Sequence, residues 1–509
     1  MQDNNLVIEK KQTSKTNTES NKIINKQHIK GKLTALERIN LLFDEDTFEE
    51  YDAGVVHRCT NFGLEKKVIK GDGVITGSGL VKGRLVYAYS QDFLNFGGSL
   101  SETNGMKICK IMDMAAQNGA PIVGMNDSGG ARIQEGIDSL SGYGEIFQRN
   151  VRYSGFIPQL SLIMGPCAGG AVYSPALTDF ISIVDQTSYM FVTGPDVVKE
   201  VMNEDIDKEE LGGAEIHSSK SGVANFIHND DIDAIIHLQK LLAFIPSNNK
   251  EGIKKFECSD SIKRSNSILN HLIDSNSTVP YDVHLVINEI VDDYYFLEVS
   301  ENFAKNIVIG FARMGGINVG IVANQPMHLA GCLDINSSIK AARFIRFCDA
   351  FSIPIISLID VPGFLPGAKQ EHDGIITKGA KLLYAYAEAT VPKISLIMRK
   401  AYGGAYIVMN SKHLSSDINY SWPIAEIAVM GAEGAGKILF RNMDKDAYDE
   451  QIKLYKEKFS NPNLASSRGY IDGIIQIEET RFKLCNALKN LCNKKEIIKI
   501  DKKHDNLPL

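Results

Sequence analysis

The sequence lacks any apolar stretch of the ~18 to 20 residues that would span a bilayer, and its N-terminus lacks the basic-then-apolar order of a signal peptide. A cytoplasmic protein is expected. No Arg occurs in the first thirty residues, while acids stand at Asp3, Glu9 and Glu19. That argues against a mitochondrial transit peptide and for residues 1–29 as a polar arm, solvated or forming an exposed helix. The eight cysteines (59, 109, 167, 258, 332, 348, 485 and 492) form no C-x-x-C pair. Zinc ribbons and dithiol redox centres are thereby excluded, no metal is expected, and the thiols read as reduced and mostly structural. Positive charge is not in excess: the net charge of −7 argues against general nucleic-acid binding and leaves room only for a local basic pocket for an anionic cofactor. Around the strongest turns there is no Gly-x-Ser-x-Gly, hence no nucleophile elbow.

What is present is the mix of a soluble globular chain, 44 % hydrophobic and 23 % charged. At 509 residues it exceeds the size at which one core stops growing, so at least two domains are expected. Sliding the chain against itself brings Gln91 onto Gln325, Gly98 onto Gly331, Pro121 onto Pro354, Asp127 onto Asp360, Pro158 onto Pro392 and Gly170 onto Gly404, every offset being 233 or 234. Ser161-Leu162-Ile163-Met164 recurs identically as Ser395-Leu396-Ile397-Met398. The chain is therefore a duplication, each half one folding unit. Pro246 to Pro280 is dense in Ser, Asn and Lys, the composition of a surface connection, and the boundary is placed there, near residue 260.

Within each half, short apolar runs end in Gly, Ala or Pro and lead into helical stretches: Pro121–Met125, Leu160–Met164, Pro354–Ile359 and Ile394–Met398. Buried strands alternating with helices imply an α/β architecture with parallel pairing. Two of these runs lead to Gly169-Gly170 and Gly403-Gly404. Successive glycines turn the backbone sharply and admit a ligand with no Cβ in the way. Helices expected over Ala171–Asp179 and Ala405–Lys412 would add positive potential there. Preorganised amides aimed at a developing oxyanion are worth about 3 kcal/mol per donor, and two such turns serve two carbonyls. Glycines that merely allow tight packing are the bland reading of either pair alone; recurrence at equivalent places favours the catalytic one.

Other motifs carry less. Gly431 to Lys437 follows the start of a phosphate-binding loop, but Ile438 stands where Ser or Thr must ligate Mg²⁺, so a helix start is expected. Met106-Lys107 has the dipeptide of a biotin attachment site, yet it lies inside an expected helix, and Lys107 reads as a surface lysine. His372, between Glu371 and Asp373, reads as a solvated loop histidine.

The segments DSGGARIQEG (Asp127–Gly136), GPCAGGAVYSPALTDF (Gly165–Phe180), CLDINSSIKAARFIRFCDAF (Cys332–Phe351), DVPGFLPG (Asp360–Gly367), KGAKLLYAYAEATVPK (Lys378–Lys393) and RKAYGGAY (Arg399–Tyr406) resemble the biotin-dependent acyl-CoA carboxyltransferases. Propionyl-CoA carboxylase β subunits stand nearest, with methylmalonyl-CoA decarboxylase α subunits and the transcarboxylase close by. The resemblance runs from about Lys30 to the C-terminus. It implies an α/β fold of two tandem crotonase-like ββα-superhelix domains, 30–260 and 261–509, and a hexamer built as a trimer of dimers. It implies that Gly169, Gly170 and Ala171 polarise an acyl-CoA thioester carbonyl, that Gly404 and Ala405 hold the biotin ureido oxygen, and that Gly403, Tyr406 and Ile407 contact substrate. Gly130, Ala131 and Arg132 fall on a loop facing the CoA. CO₂ would pass from carboxybiotin to the α carbon with no side-chain base.

Biotin would be carried on a separate subunit or domain, and biotin carboxylase and biotin carboxyl carrier would be the partners. Propionyl-type members commonly have Asp where this chain has Ile407, which leaves propionyl-, acetyl- and butyryl-CoA open. It also keeps alive the α subunit of a sodium-pumping decarboxylase, or a transcarboxylase, with a membrane partner only in the decarboxylase case. A crotonase-like hydratase or thioesterase is the remote alternative, and a non-catalytic scaffold for a biotinylated partner a remoter one.

Overall fold

A computed structural model describes residues 26–274, 276–495 and 502–508; the expected polar arm lies, up to residue 25, outside them. The chain divides into two compact units that part between Asn248 and Asn249.

In the first unit the strands are β1 (Glu49–Tyr51), β2 (Val74–Val81), β3 (Arg84–Gln91), β4 (Ile122–Ser128), β5 (Gln159–Ala168), β6 (Phe180–Val184), β7 (Tyr189–Phe191) and β8 (Phe226–His228). They form one sheet in the order β1-β2-β3-β4-β5-β6-β8, with β7 also on β5. The second unit repeats this with β9 (Phe296–Val299), β10 (Ile307–Met314), β11 (Ile317–Asn324), β12 (Ile355–Val361), β13 (Lys393–Tyr402), β14 (Ile418–Ser421), β15 (Glu426–Ala428) and β16 (Gly473–Ile474). The order is β16-β14-β13-β12-β11-β10-β9, with β15 on β13.

Each unit opens with an antiparallel hairpin, β2–β3 or β10–β11. Its two-residue turn places both residues left-handed, Lys82-Gly83 in one case and Gly315-Gly316 in the other, the geometry that matches strand twist. All later pairs are parallel. Central strands β4 and β12 are buried along their whole length, as parallel strands covered on both faces must be.

The long strands bend. β5 pairs β6 through Leu160–Ile163 and then β7 through Pro166–Ala168; β13 pairs β14 through Ile394–Ile397 and then β15 through Lys400–Tyr402. The register against the neighbouring central strand slips at the same place in both units, between Asn126 and Ser128 and between Ile359 and Val361. The bend throws the glycine pair at each strand end out of the sheet.

Caps start the covering helices. Ser101 accepts from the Asn104 N–H ahead of the Glu102–Asn118 helix, which left-handed Gly119 ends. Asp334 closes a capping box with Ser337 ahead of Ile335–Ala350. Lys107 is not on the surface: it is 2 % exposed, and its ammonium donates to the carbonyls of Gly71 (2.9 Å) and Val74 (2.6 Å). The strand entry that supplies those carbonyls is remote in sequence, which helical periodicity does not show. Nor is Pro246–Pro280 only a surface connection, since Leu269 and Ile273 pack into the core of the second unit. The Gly431 segment caps the Ala432–Leu439 helix, as expected. His372 is exposed at the end of the short Ala368–His372 helix.

Candidate active site

Gly169 leaves β5 with φ +63° and begins a 3₁₀ turn, Gly169–Val172, that runs into the five-residue helix Tyr173–Leu177. Gly403 leaves β13 with φ +58° and begins the six-residue helix Gly403–Val408. Left-handed backbone of this kind favours glycine at both places. The helices are shorter than expected over Ala171–Asp179 and Ala405–Lys412, so their dipoles contribute little. What remains is local. The first amides of a helical turn have no intrahelical acceptor; in the 3₁₀ turn, whose bonds run from residue i to i−3, these are Gly169 and Gly170, and in the second helix they include Gly404 and Ala405.

The glycines also leave room. A Cβ at Gly169 or Gly404 would meet nothing within 4 Å, whereas one at Gly170 would lie 3.4 Å from the Tyr143 ring. Ala171 and Ala405 are buried beneath their turns. Cys167 donates its S–H to the Ala171 carbonyl at 3.3 Å, and burial pushes its thiol up to about 12. Burial likewise pushes the Tyr406 phenol up to about 12. Neither group is ionised near neutrality. Ile407 is half-buried at the place that exposed Tyr173 occupies in the first unit.

The loop after β4 reaches the first turn. Gly130, at φ +102°, lies so near that a Cβ there would stand 3.1 Å from the Ala168 carbonyl, and its N–H donates to Ser128 Oγ at 3.1 Å. The Gly130 carbonyl accepts from Leu100 N, and Arg132 N donates to the Leu100 carbonyl, so Gly130, Ala131 and Arg132 are stitched to the segment before the Glu102–Asn118 helix. The Arg132 side chain does not face outward as a loop facing CoA would suggest. It is buried, ion-paired to Asp72 at 2.6 Å and Glu135 at 3.2 Å, and stacked on Phe96. Desolvation is offset only by such pairing, so Arg132 holds the loop in place.

Sequence reasoning missed the ionic clusters behind both turns. Asp127, at the register slip of β4, takes Lys32 Nζ at 2.6 Å and Arg38 Nη1 at 3.0 Å; Arg38 also binds Asp231 at 2.7 Å and the Met164 carbonyl at 2.8 Å. Arg38 reaches them because the Ala35–Leu42 helix, capped by Thr34, buries Arg38 with Ala35, Ile39 and Leu42. Asp360, at the slip of β12, takes Arg399 Nε at 2.9 Å and Lys400 N at 3.1 Å. Burial raises the Asp360 carboxyl against the pull of Arg399. The repeat already aligned the two aspartates; their cations stand at unmatched positions, so no sequence signal paired them. Among the described residues no cluster of His, Cys, Asp or Glu is placed to hold a metal ion, and no helix is long and apolar enough to cross a membrane. All eight cysteines are unpaired.

The carboxyl transferase domain model matches residues 26–507. The chain is 56 % identical over 490 residues to the propionyl-CoA carboxylase beta chain of Roseobacter denitrificans, covering 96 % of each. It is 53 % identical over 494 residues to the methylmalonyl-CoA decarboxylase subunit alpha of Propionigenium modestum, covering 96 % of this chain and 95 % of that one. Its fold superposes with a TM-score of 0.94 and 49 % identity on the hexameric transcarboxylase 12S with methylmalonyl-coenzyme A and methylmalonic acid bound, over 96 % of this chain and 95 % of that one. The two parallel-rich units are tandem crotonase-like domains, and the chain is a carboxyltransferase subunit belonging to the carboxyl transferase family.

Proposed function

We propose that this subunit transfers CO₂ from carboxybiotin to the α carbon of propionyl-CoA, as the carboxyltransferase β subunit of a biotin-dependent acyl-CoA carboxylase. The observation that carries the reading is the pair of open glycine turns at equivalent strand ends of the two units. The turn formed by Gly169, Gly170 and Ala171 presents its leading N–H groups to the thioester carbonyl, stabilising the oxyanion that forms when the α carbon becomes nucleophilic. Gly404 and Ala405 receive the biotin ureido oxygen. The fit is physical: the turn is open where a Cβ at Gly404 would stand, and a flat ring carrying one carbonyl suits two free amides. Biotin, carried on a separate polypeptide with biotin carboxylase as further partner, supplies the carboxyl group. Gly403 and Tyr406 shape the second turn, Ile407 limits the acyl end, and Gly130 and Ala131, held by Arg132, line the CoA side.

The corresponding domains are residues 30–260 and 261–509, after an arm over 1–29. The working assembly is a hexamer in the cytoplasm. A carboxylation assay with the partner subunits across acetyl-, propionyl- and butyryl-CoA tests this: a preference of tenfold or more for propionyl-CoA is expected, on the order of the 1 to 3 kcal/mol that one methylene contributes, and no carboxylation of any of the three would sink it. Half-buried Ile407 supports a second reading, the decarboxylase α subunit, for which reconstitution with a membrane subunit would make methylmalonyl-CoA decarboxylation sodium-dependent.

A further inference from the structure

The two glycine turns are braced in different ways. The first is supported on its own face, by the Tyr143 ring 3.4 Å from where a Gly170 Cβ would stand and by the Cys167 S–H on the Ala171 carbonyl. At the equivalent glycine of the second, a Cβ at Gly404 would meet nothing within 4 Å. Glycine backbone is the most freely rotating in the chain, so the aim of the second pair of amides has to be set from the strand that carries them.

That strand ends on Tyr402, the residue immediately before Gly403 and the N-cap of its helix. The Tyr402 phenol donates to one carboxylate oxygen of Glu426. Glu426 lies on β15, which runs beside the last three residues of β13 with Lys400 opposite Glu426 and Tyr402 opposite Ala428. Its other oxygen accepts from Ser277 Oγ at 2.9 Å. Beyond β15 the chain turns under the glycine: a Cβ at Gly403 would lie 3.1 Å from the Val429 carbonyl, and one at Gly431 would lie 3.3 Å from the Tyr402 ring. Ser277 is itself anchored, because Arg399 donates to the carbonyls of Asn276 (3.2 Å) and Val279 (2.7 Å) on either side of it. In the first unit Ala168 stands in the place of Tyr402 and has no side chain with which to make such a contact.

We infer that Tyr402, latched by Glu426 and Ser277, is a positioning residue that sets the aim of the Gly404 and Ala405 amides on the biotin ring. The inference rests on the assignment of the second turn to biotin. A misplacement near 1 Å at a reacting centre costs about a hundredfold in rate, and the phenol–carboxylate contact ties the residue adjoining the turn to β15.

The test uses full-length protein, free biotin and methylmalonyl-CoA, following biotin-dependent decarboxylation. Tyr402→Phe, which removes only the hydroxyl, is expected to lower kcat/KM for biotin by about tenfold to a hundredfold while the KM for methylmalonyl-CoA stays within about twofold. Glu426→Ala should match it; Glu426→Gln, whose amide oxygen still accepts from the phenol, should recover most of the loss. The thermal midpoints should stay within a few degrees. If Tyr402→Phe and Glu426→Ala leave both substrates within about twofold, the latch positions nothing and the inference is overturned. A loss shared equally by both substrates and accompanied by a collapse in Tm marks a merely structural contact and overturns it as well. A loss confined to methylmalonyl-CoA overturns the assignment of the second turn on which the inference stands.

Discussion

Asp127 and Asp360 stand at the same point of two units with the same strand order, each at the register slip between its strand and the one that carries the glycine pair, yet they are neutralised from unrelated places. In the second unit the cation is local: Arg399 projects from β13 itself, sits on the Tyr281 ring and closes onto Asp360. In the first unit the position matching Arg399 is Gly165, where a Cβ would collide with the Asp127 carboxylate and the Lys32 ammonium. The cations come instead from Lys32 and Arg38, before the first strand. A buried carboxylate requires a partner, but nothing requires that partner to stand at the same position twice. The duplicated backbone has kept the bend and the turn while replacing the side chains that hold them.

Removing the single cation should have the largest effect. Arg399→Met leaves Asp360 buried with the Lys400 N–H bond but without its ion pair, for an expected loss of about 3 to 5 kcal/mol in chemical denaturation. Lys32→Met leaves Asp127 its contact with Arg38 and should cost well under half as much. Equal losses would break the comparison. Next come the turns themselves. Gly170→Val and Gly404→Val should each reduce kcat by about a hundredfold to a thousandfold in a carboxyl-transfer assay, with the fold retained because a Cβ at Gly404 meets nothing and one at Gly170 only touches Tyr143. Activity near wild type in either folded variant would remove that turn from the chemistry.

The buried lysines sharpen the same contrast at a smaller scale. Lys340 repeats Lys107: it donates to the carbonyls of Phe303 (2.7 Å) and Ile307 (2.8 Å), and burial pushes its ammonium down to about 8. Lys340→Met takes the ammonium from the Phe303 and Ile307 carbonyls and Lys107→Met takes it from the Val74 carbonyl, Gly71 keeping the Val74 N–H, and each should cost about 1 to 3 kcal/mol. Because the folded state releases the Lys340 proton more readily than the unfolded chain does, wild-type stability should rise as pH rises from about 8 toward the ordinary lysine value. Lys340→Met should flatten that rise, which thermal melts across the window would read.

The smallest effect belongs to an imidazole pair in the first unit. The His228 and His237 rings lie 4.9 Å apart and tilted by 47°, near Asp233, Asp230 and Lys240. Burial pushes His237 down to about 4, with His228 beside it lowering it further. The unfolded chain therefore binds more protons between pH 6.5 and 4, and stability should fall as pH drops through that window. His237→Phe should lessen the drop in Tm; an unchanged slope would place the acid sensitivity elsewhere.

Much of this was legible in residues that repeat. Gln91 with Gln325 and Gly98 with Gly331 announced the duplication, and Gly169-Gly170 with Gly403-Gly404 announced the turns, because a left-handed step at the end of a buried strand leaves glycine as its trace. Lys107 was misread because its acceptors at Gly71 and Val74 lie over thirty residues away and helical periodicity registers only the helix's own face. Leu269 and Ile273 were passed over as linker because too few apolar residues stand there to make a pattern. Arg132 was read only as part of a loop facing the CoA, because its partner Asp72 lies sixty residues upstream.

By itself, then, the sequence determined the duplicated α/β order and the two glycine turns, since each is written in local spacing or residue type. The tertiary structure alone decided which cations neutralise Asp127 and Asp360, that Lys107 and Arg132 face inward, and that Glu426 accepts from both Tyr402 and Ser277. Those are pairings between residues distant in the chain, selected by the cost of leaving a buried polar group alone, and no local pattern encodes them.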